Sequence, residues 1–148
     1  MGEEEACEEC IVDTSKLLAA KKGKPLVGKP KNSVLVFITF GTYGHADDLF
    51  SAVHVANGVL AKEANSTIIL LDDGVYCAVN GHDPTAIGLP PVTKLLSDFI
   101  ELGGRLLAVN DSLEKRGISK EDLIEGVEII ENSQIVDEIK KHDVTVTF

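Results

Sequence analysis

The stretch Ser33-Val34-Leu35-Val36-Phe37-Ile38-Thr39-Phe40 decides the fold of this chain. It is a continuous apolar run rich in β-branched and aromatic side chains, a pattern typical of a strand that is buried on both faces of a parallel sheet. A loop over 41–45 follows this run. Apolar residues at helical spacing over 46–62 then predict an amphipathic helix that packs on the sheet.

The alternation of strand and helix continues to residue 148. Strands are predicted at 33–40, 66–71, 105–109, 127–130 and 144–148, and helices at 46–62, 91–102 and 133–141. This order implies an α/β domain in three layers, with mainly parallel strands joined by right-handed crossovers and helices on both faces. Apolar and polar residues alternate regularly in the last strand, which indicates that one of its faces is exposed to solvent. The sequence therefore predicts that this strand lies at the edge of the sheet.

Residues 1–30 are predicted to form an N-terminal extension to the domain at 31–148. Its first part, over 3–22, has acids at its start and lysines at its end, an order that suits a helix dipole. A Pro- and Gly-containing linker then leads to residue 30. Isolated helices of this length are marginal, so we expect the extension to dock on a protein surface or to be mobile, and not to carry catalysis.

Composition limits the classes of function. The chain has 148 residues, 44% of them hydrophobic, and a formal net charge of −10. A surface this acidic repels phosphate backbones, so nucleic-acid binding is not expected. No apolar run approaches the ~20 residues of a membrane span, and the first residues are acidic where a signal peptide is basic. The sequence therefore predicts a cytoplasmic protein.

Three loops should meet at the carboxyl edge of the sheet, where open α/β sheets bind their ligands. They are 41–45 after the first strand, 72–77 after the second and 110–112 after the third. Cys77 lies in the middle loop. A helix N-terminus there would favour its thiolate, whereas Asp72 and Asp73 would oppose it. The alternative is that Cys77 is a small buried hydrophobe.

Other chemical signals are weaker. Cys7-Glu8-Glu9-Cys10 supplies only two of the four ligands that structural zinc needs, and its glutamates disfavour thiolates. It is better interpreted as two small apolar residues on a packing helix. His45 is placed either to cap its helix or to act at the crevice. No metal site and no cofactor are predicted.

Several motifs in order carry a family resemblance. They are Phe37-Ile38-Thr39-Phe40-Gly41-Thr42-Tyr43-Gly44, Asp72-Asp73-Gly74-Val75-Tyr76, Asn80-Gly81-His82-Asp83-Pro84, Ser112-Leu113-Glu114-Lys115-Arg116-Gly117-Ile118 and His142-Asp143-Val144-Thr145-Val146-Thr147-Phe148. Over residues 33–148 the chain resembles the DsrE/DsrF-like sulfur-relay proteins, and within them the DsrF/TusC branch. The resemblance implies a flavodoxin-like sheet of strand order 2-1-3-4-5.

The same resemblance implies a function. Its members assemble into trimers or hexamers and pass persulfide sulfur between proteins, for tRNA thiolation or dissimilatory sulfur metabolism. The usual carrier cysteine follows the third strand, where this chain has Asn110-Asp111-Ser112 and no cysteine. Partners are expected to be further copies or related cysteine-bearing subunits, together with sulfur donor and acceptor proteins.

Three hypotheses remain at this stage. In the first, Cys77 is the sulfur carrier of a sulfurtransferase-like protein, and residues of the flanking loops bind the substrate: Tyr43, His45, Asp73, Tyr76, Asn110 and Ser112. In the second, the chain is a non-catalytic structural subunit of a larger complex. In the third, which no motif supports, it is a small-ligand-binding module on the same fold.

Overall fold

The computed structural model describes residues 32–41, 43 and 46–148. The predicted N-terminal extension, with Cys7 and Cys10, lies outside the described residues, and so does His45. Lys31–Phe148 form one compact unit. In the part of the chain that the structure describes, no helix has the length and apolar character needed to cross a membrane.

All pairings in the five-stranded sheet are parallel, as predicted. The strands are β1 (Ser33–Ile38), β2 (Asn65–Leu70), β3 (Arg105–Val109), β4 (Val127–Ile130) and β5 (Val144–Thr147). Their spatial order is β4-β3-β2-β1-β5. The fold class is therefore confirmed, and β5 lies at an edge as expected. The predicted order 2-1-3-4-5 is wrong, because β2 and not β1 is the neighbour of β3.

Four α-helices join these strands in the described residues: α1 (Ala46–Ala61), α2 (Val92–Glu101), α3 (Asn110–Glu114) and α4 (Asn132–Lys141). The chain moves in one direction from β1 to β4, so right-handed crossovers place α1 and α2 on the same face. It then returns across the sheet to β5, and the reversal puts α4 on the opposite face. Helices therefore cover both faces of the sheet. The chain changes its direction of travel across the sheet once, after β4.

The core has two parts, one on each face. On the first face, Val36, Ile38 and Ile68 pack with Leu49 of α1 and Phe99 of α2. The second face carries the alternate strand residues, and Ile135 of α4 packs against them. Because period-two alternation sends neighbouring side chains to opposite faces, a continuous apolar strand such as β1 is the expected result of two covered faces.

Polar groups at the amino edge anchor α4. Glu138 is buried, and its carboxylate accepts hydrogen bonds from Arg105 Nη1 and Lys141 Nζ, both at 3.2 Å. Burial alone would raise the pKa of Glu138, but the hydrogen bonds and positive charges of Lys141 and Arg105 together hold that pKa below its ordinary value. The neighbouring His142 bridges the Glu138 carbonyl and the Thr67 hydroxyl.

Candidate functional site

The carboxyl ends of β1, β2 and β3 meet at one edge, as the sequence predicts, and a 3₁₀ helix over Asp72–Ala78 lies there. This helix follows β2 directly and is packed tightly against the end of β1. A Cβ atom on Gly74 would lie 2.0 Å from the carbonyl oxygen of Ile38. Only glycine allows this approach, so Gly74 brings the Asp-Asp-Gly-Val-Tyr segment onto the first strand.

The turn into the 3₁₀ helix is held by α3. Asp72 has a φ of 51°, a left-handed conformation that Asp tolerates better than most residues. Its backbone N–H donates to Ser112 Oγ over 3.0 Å. Ser112 is itself buried at the start of α3, so the hydrogen bond joins the loop after β2 to the loop after β3.

Arg116 completes this connection. Its guanidinium donates to Asp73 Oδ1 from Nε at 2.9 Å and from Nη2 at 2.7 Å. A third donor, Nη1, reaches the Ser112 carbonyl oxygen at 3.0 Å. The guanidinium therefore links the 3₁₀ helix to α3. It brings together two of the predicted site residues, Asp73 and Ser112, although Arg116 itself was not among the predicted site residues.

Cys77 lies beneath this surface rather than on it. Its relative exposure is 0%, and Sγ makes a long hydrogen bond of 3.7 Å to the Phe40 carbonyl oxygen. Burial raises the pKa of the Cys77 thiol to about 12, because the apolar surroundings penalise the thiolate. The expected help from a helix N-terminus is absent, since Cys77 falls near the end of the 3₁₀ helix.

Three predicted site residues that the structure describes, Tyr43, Asn110 and Ser112, have hydrogen-bond partners other than Cys77. The Tyr43 hydroxyl faces the backbone N–H of Val92, Asn110 Nδ2 donates to Glu114 Oε1, and Ser112 Oγ accepts from Asp72. These groups stabilise the loops instead of a thiolate. Two of these contacts join separate segments, Tyr43 with Val92 and Ser112 with Asp72, and none of the three involves Cys77.

Two aromatic rings, those of Tyr43 and His82, pack against each other beside the 3₁₀ helix. The ring of His82 meets the ring of Tyr43 edge-on, with centroids 5.9 Å apart. Its Nε2 lies 2.9 Å from the Tyr76 carbonyl oxygen, a geometry in which Nε2–H donates. His82 was not among the predicted site residues, yet it joins two that were, Tyr43 and Tyr76. The Tyr76 side chain is 38% exposed and belongs to the accessible surface of this edge.

Sequence reasoning could have found one of the two omitted residues. Arg116 stands in the Arg-Gly turn that formed part of the resemblance, and an arginine opposite a pair of aspartates is a natural ion-pair partner. His82 gave no such signal, because its contacts span separate loops. Among the described residues, no group of three or more His, Cys, Asp or Glu side chains is arranged to hold a metal ion.

Comparison with known proteins identifies the family. The sequence profile of the DsrE/DsrF-like family matches residues 32–148. The chain belongs to the DsrE/DsrF-like family. MJ0989 of Methanocaldococcus jannaschii is 33% identical over 113 residues, which are 76% of this chain and 96% of that protein. The intracellular sulfur oxidation protein DsrF of Allochromatium vinosum is 37% identical over 68 residues, which are 44% of this chain and 48% of DsrF.

A solved structure shows the same fold. The ychN protein of E. coli superposes with a TM-score of 0.71 at 22% identity, covering 79% of this chain and 99% of ychN. The sequence match to DsrF agrees with the predicted DsrF/TusC branch. The family profile begins at residue 32, next to the predicted start of the domain at residue 31.

Proposed function

We propose that this chain works in a sulfur-relay complex as an assembly subunit beside a cysteine-bearing partner, and that it does not itself carry the sulfur. The supporting observation is the burial of Cys77. A sulfur carrier has to be reached by the proteins that load and unload it, and the thiolate is the form that attacks sulfur. A thiol with 0% exposure and a pKa of about 12 meets neither requirement.

The segment after β3 supports the same proposal. Asn110, Asp111 and Ser112 occupy the region where the DsrE/TusD branch has its carrier cysteine. Here this region is occupied by structural contacts: Ser112 holds Asp72, and Asp111 pairs with Lys115 at 2.7 Å. The segment that carries the cysteine in the DsrE/TusD branch thus serves in this chain to join the loop after β3 to the loop after β2.

The competing hypothesis is that Cys77 carries persulfide sulfur. It would require the 3₁₀ helix to move away from β1 and expose the thiol. The close contact of Gly74 with Ile38 and the Arg116–Asp73 ion pair both oppose that movement. On our proposal, sulfur used for tRNA thiolation or for sulfur metabolism would pass through the partner subunit.

Site-resolved mass spectrometry can test the proposal. The native protein is incubated with polysulfide, then with an alkylating reagent, and each cysteine peptide is analysed separately. We expect Cys77 to remain unmodified until the protein is unfolded in urea, which serves as the control for reagent reactivity. Sulfur on Cys77 in the native protein would instead support the carrier hypothesis. Transferable sulfur on Cys7 or Cys10 would also contradict our proposal.

A further inference from the structure

The two edges of the sheet differ in how they are protected. Exposed edge strands can pair with other chains, and proteins commonly block such pairing with charged residues, proline or bulges. β4 carries Glu128 in its middle and is flanked by Glu125 and Glu131. The edge at Val144–Phe148 has no charged side chain, glycine or proline, and the carboxylate of the preceding Asp143 is turned toward β1, where it accepts from the backbone N–H of Ser33 at 2.9 Å. This edge therefore lacks the protection that β4 has.

Backbone hydrogen bonds show which groups of this edge point outward. Phe148 N–H donates to Phe37 O at 2.9 Å, and Phe148 O accepts from Thr39 N–H at 3.1 Å, so both groups of Phe148 face β1. In a parallel ladder, the backbone N–H and C=O groups of successive residues point alternately to the two sides of the strand. Val144 and Val146 thus also bond toward β1, whereas the N–H and C=O groups of Thr145 and Thr147 point away from the sheet.

Side-chain directions make the edge apolar on one face. Val144 and Val146 are in register with Val34 and Val36 of β1, so they lie on the face that α1 and α2 cover. Val144 is nevertheless 50% exposed, since it lies at the margin of that face. Thr145 and Thr147 lie on the opposite face.

We propose that β5 pairs antiparallel with β5 of a second copy of this chain about a two-fold axis through Val146. In this arrangement Thr145 faces Thr147 of the second copy, and each such pair exchanges both of its outward backbone bonds. Val146 faces its own counterpart, and the half-exposed Val144 faces Phe148 of the second copy. The sheet becomes continuous through both copies.

Self-complementarity favours a second copy over an unrelated strand. A two-fold axis uses the same surface on both chains, so the pattern has to match itself when reversed. Here it does: threonine meets threonine on one face, and valine meets valine or phenylalanine on the other. Cross-strand pairs of these types stabilise antiparallel sheets.

Disulfide formation tests the register of the proposed pairing. In a background of Cys7→Ser and Cys10→Ser, Val146→Cys puts a thiol opposite itself in the closer kind of cross-strand pair, where Cβ atoms lie about 4.5–5.5 Å apart. Thr145→Cys is the matched control, because residue 145 faces residue 147 and not itself. We expect mild oxidation to link Val146→Cys into covalent dimers and to leave Thr145→Cys unlinked. Equal linking of both variants, or of neither, would overturn the proposal.

Thr145→Pro gives an independent measurement on the full chain. Proline at this position removes an N–H that points away from β1, so the hydrogen bonds to β1 are kept and edge strands tolerate the residue. We expect a folded variant, checked by its thermal melt, whose mass by light scattering is half that of the natural protein. A folded variant with unchanged mass would overturn the proposal, and so would a natural protein that shows no self-association. If the variant does not fold, the disulfide test decides.

Discussion

A single missing side chain at Gly74 determines how the candidate site is built. The close approach of Gly74 to Ile38 brings the 3₁₀ helix onto β1, and Cys77, three residues further along the same helix, is buried. The buried position of Cys77 thus belongs to a segment whose packing on β1 requires a glycine at position 74. Burial of this kind is a tertiary property, since nothing in the local sequence around Cys77 requires it.

Gly74→Ala should be strongly destabilising. The added Cβ would meet backbone atoms that cannot rotate away, so the turn has to shift, at a cost of about 1–3 kcal/mol or more. Gly58→Ala is the matched control, because Gly58 lies on the exposed side of α1 and a Cβ there meets nothing within 4 Å. Alanine in a helix is favoured over glycine by roughly 0.5–1 kcal/mol. Urea unfolding should thus show a lower free energy of unfolding for Gly74→Ala and a higher one for Gly58→Ala. A Gly74→Ala variant with unchanged stability would contradict the packing described.

At the scale of elements, α4 is held to the sheet by a buried charge. Glu138→Gln keeps the shape of the side chain but removes the charge that Arg105 and Lys141 satisfy. Hydrogen bonds to charged groups contribute about 1.5–3 kcal/mol, so we expect a loss of that order in the free energy of unfolding at pH 7. Glu128→Gln is the control. Its carboxylate also pairs with Arg105 but is 53% exposed, and such pairs contribute at most about 1 kcal/mol.

The effect at Glu138 should depend on pH in a defined direction. Its folded-state pKa is lowered from the ordinary value of 4.5, so the charged form stabilises the fold above pH 4.5. That contribution is lost as the pH falls below 4.5 and through the folded-state pKa. The difference in unfolding free energy between the natural protein and Glu138→Gln should therefore shrink on acidification. A difference that stays constant from pH 7 to below pH 4 would show that the charge is not its cause.

At the scale of the whole molecule, charge opposes association. Each chain carries a net charge of −10, so copies repel one another at low ionic strength. Raising the ionic strength from about 0.01 to 0.15 M shortens the screening length from about 30 to 8 Å. We expect light scattering at micromolar concentration to show a trimer or hexamer that is more fully formed in the higher salt. Of these two states, only the hexamer is compatible with two-fold pairing through β5, because that pairing joins copies in twos. A single-chain mass at every salt concentration would contradict this prediction.

Local patterns were enough to predict the elements of the domain and their parallel arrangement. The continuous apolar run that contains β1 indicated a strand covered on both faces, and the alternating β5 indicated an edge. Both signals are periodicities of neighbouring side chains, which the chain carries whether or not it is folded. The place of the site at the carboxyl edge followed from the same alternation of strands and helices.

Strand order and the state of the site were decided only by the tertiary structure. Whether β2 or β1 lies next to β3 depends on where the chain reverses direction across the sheet, and no residue near β3 encodes that choice. The same holds for Cys77. Its burial arises in a segment packed against β1 through Gly74 and Ile38, and the loops after β2 and β3 bond to one another. Contacts between segments distant in sequence exist only after packing, so local sequence patterns could not predict them.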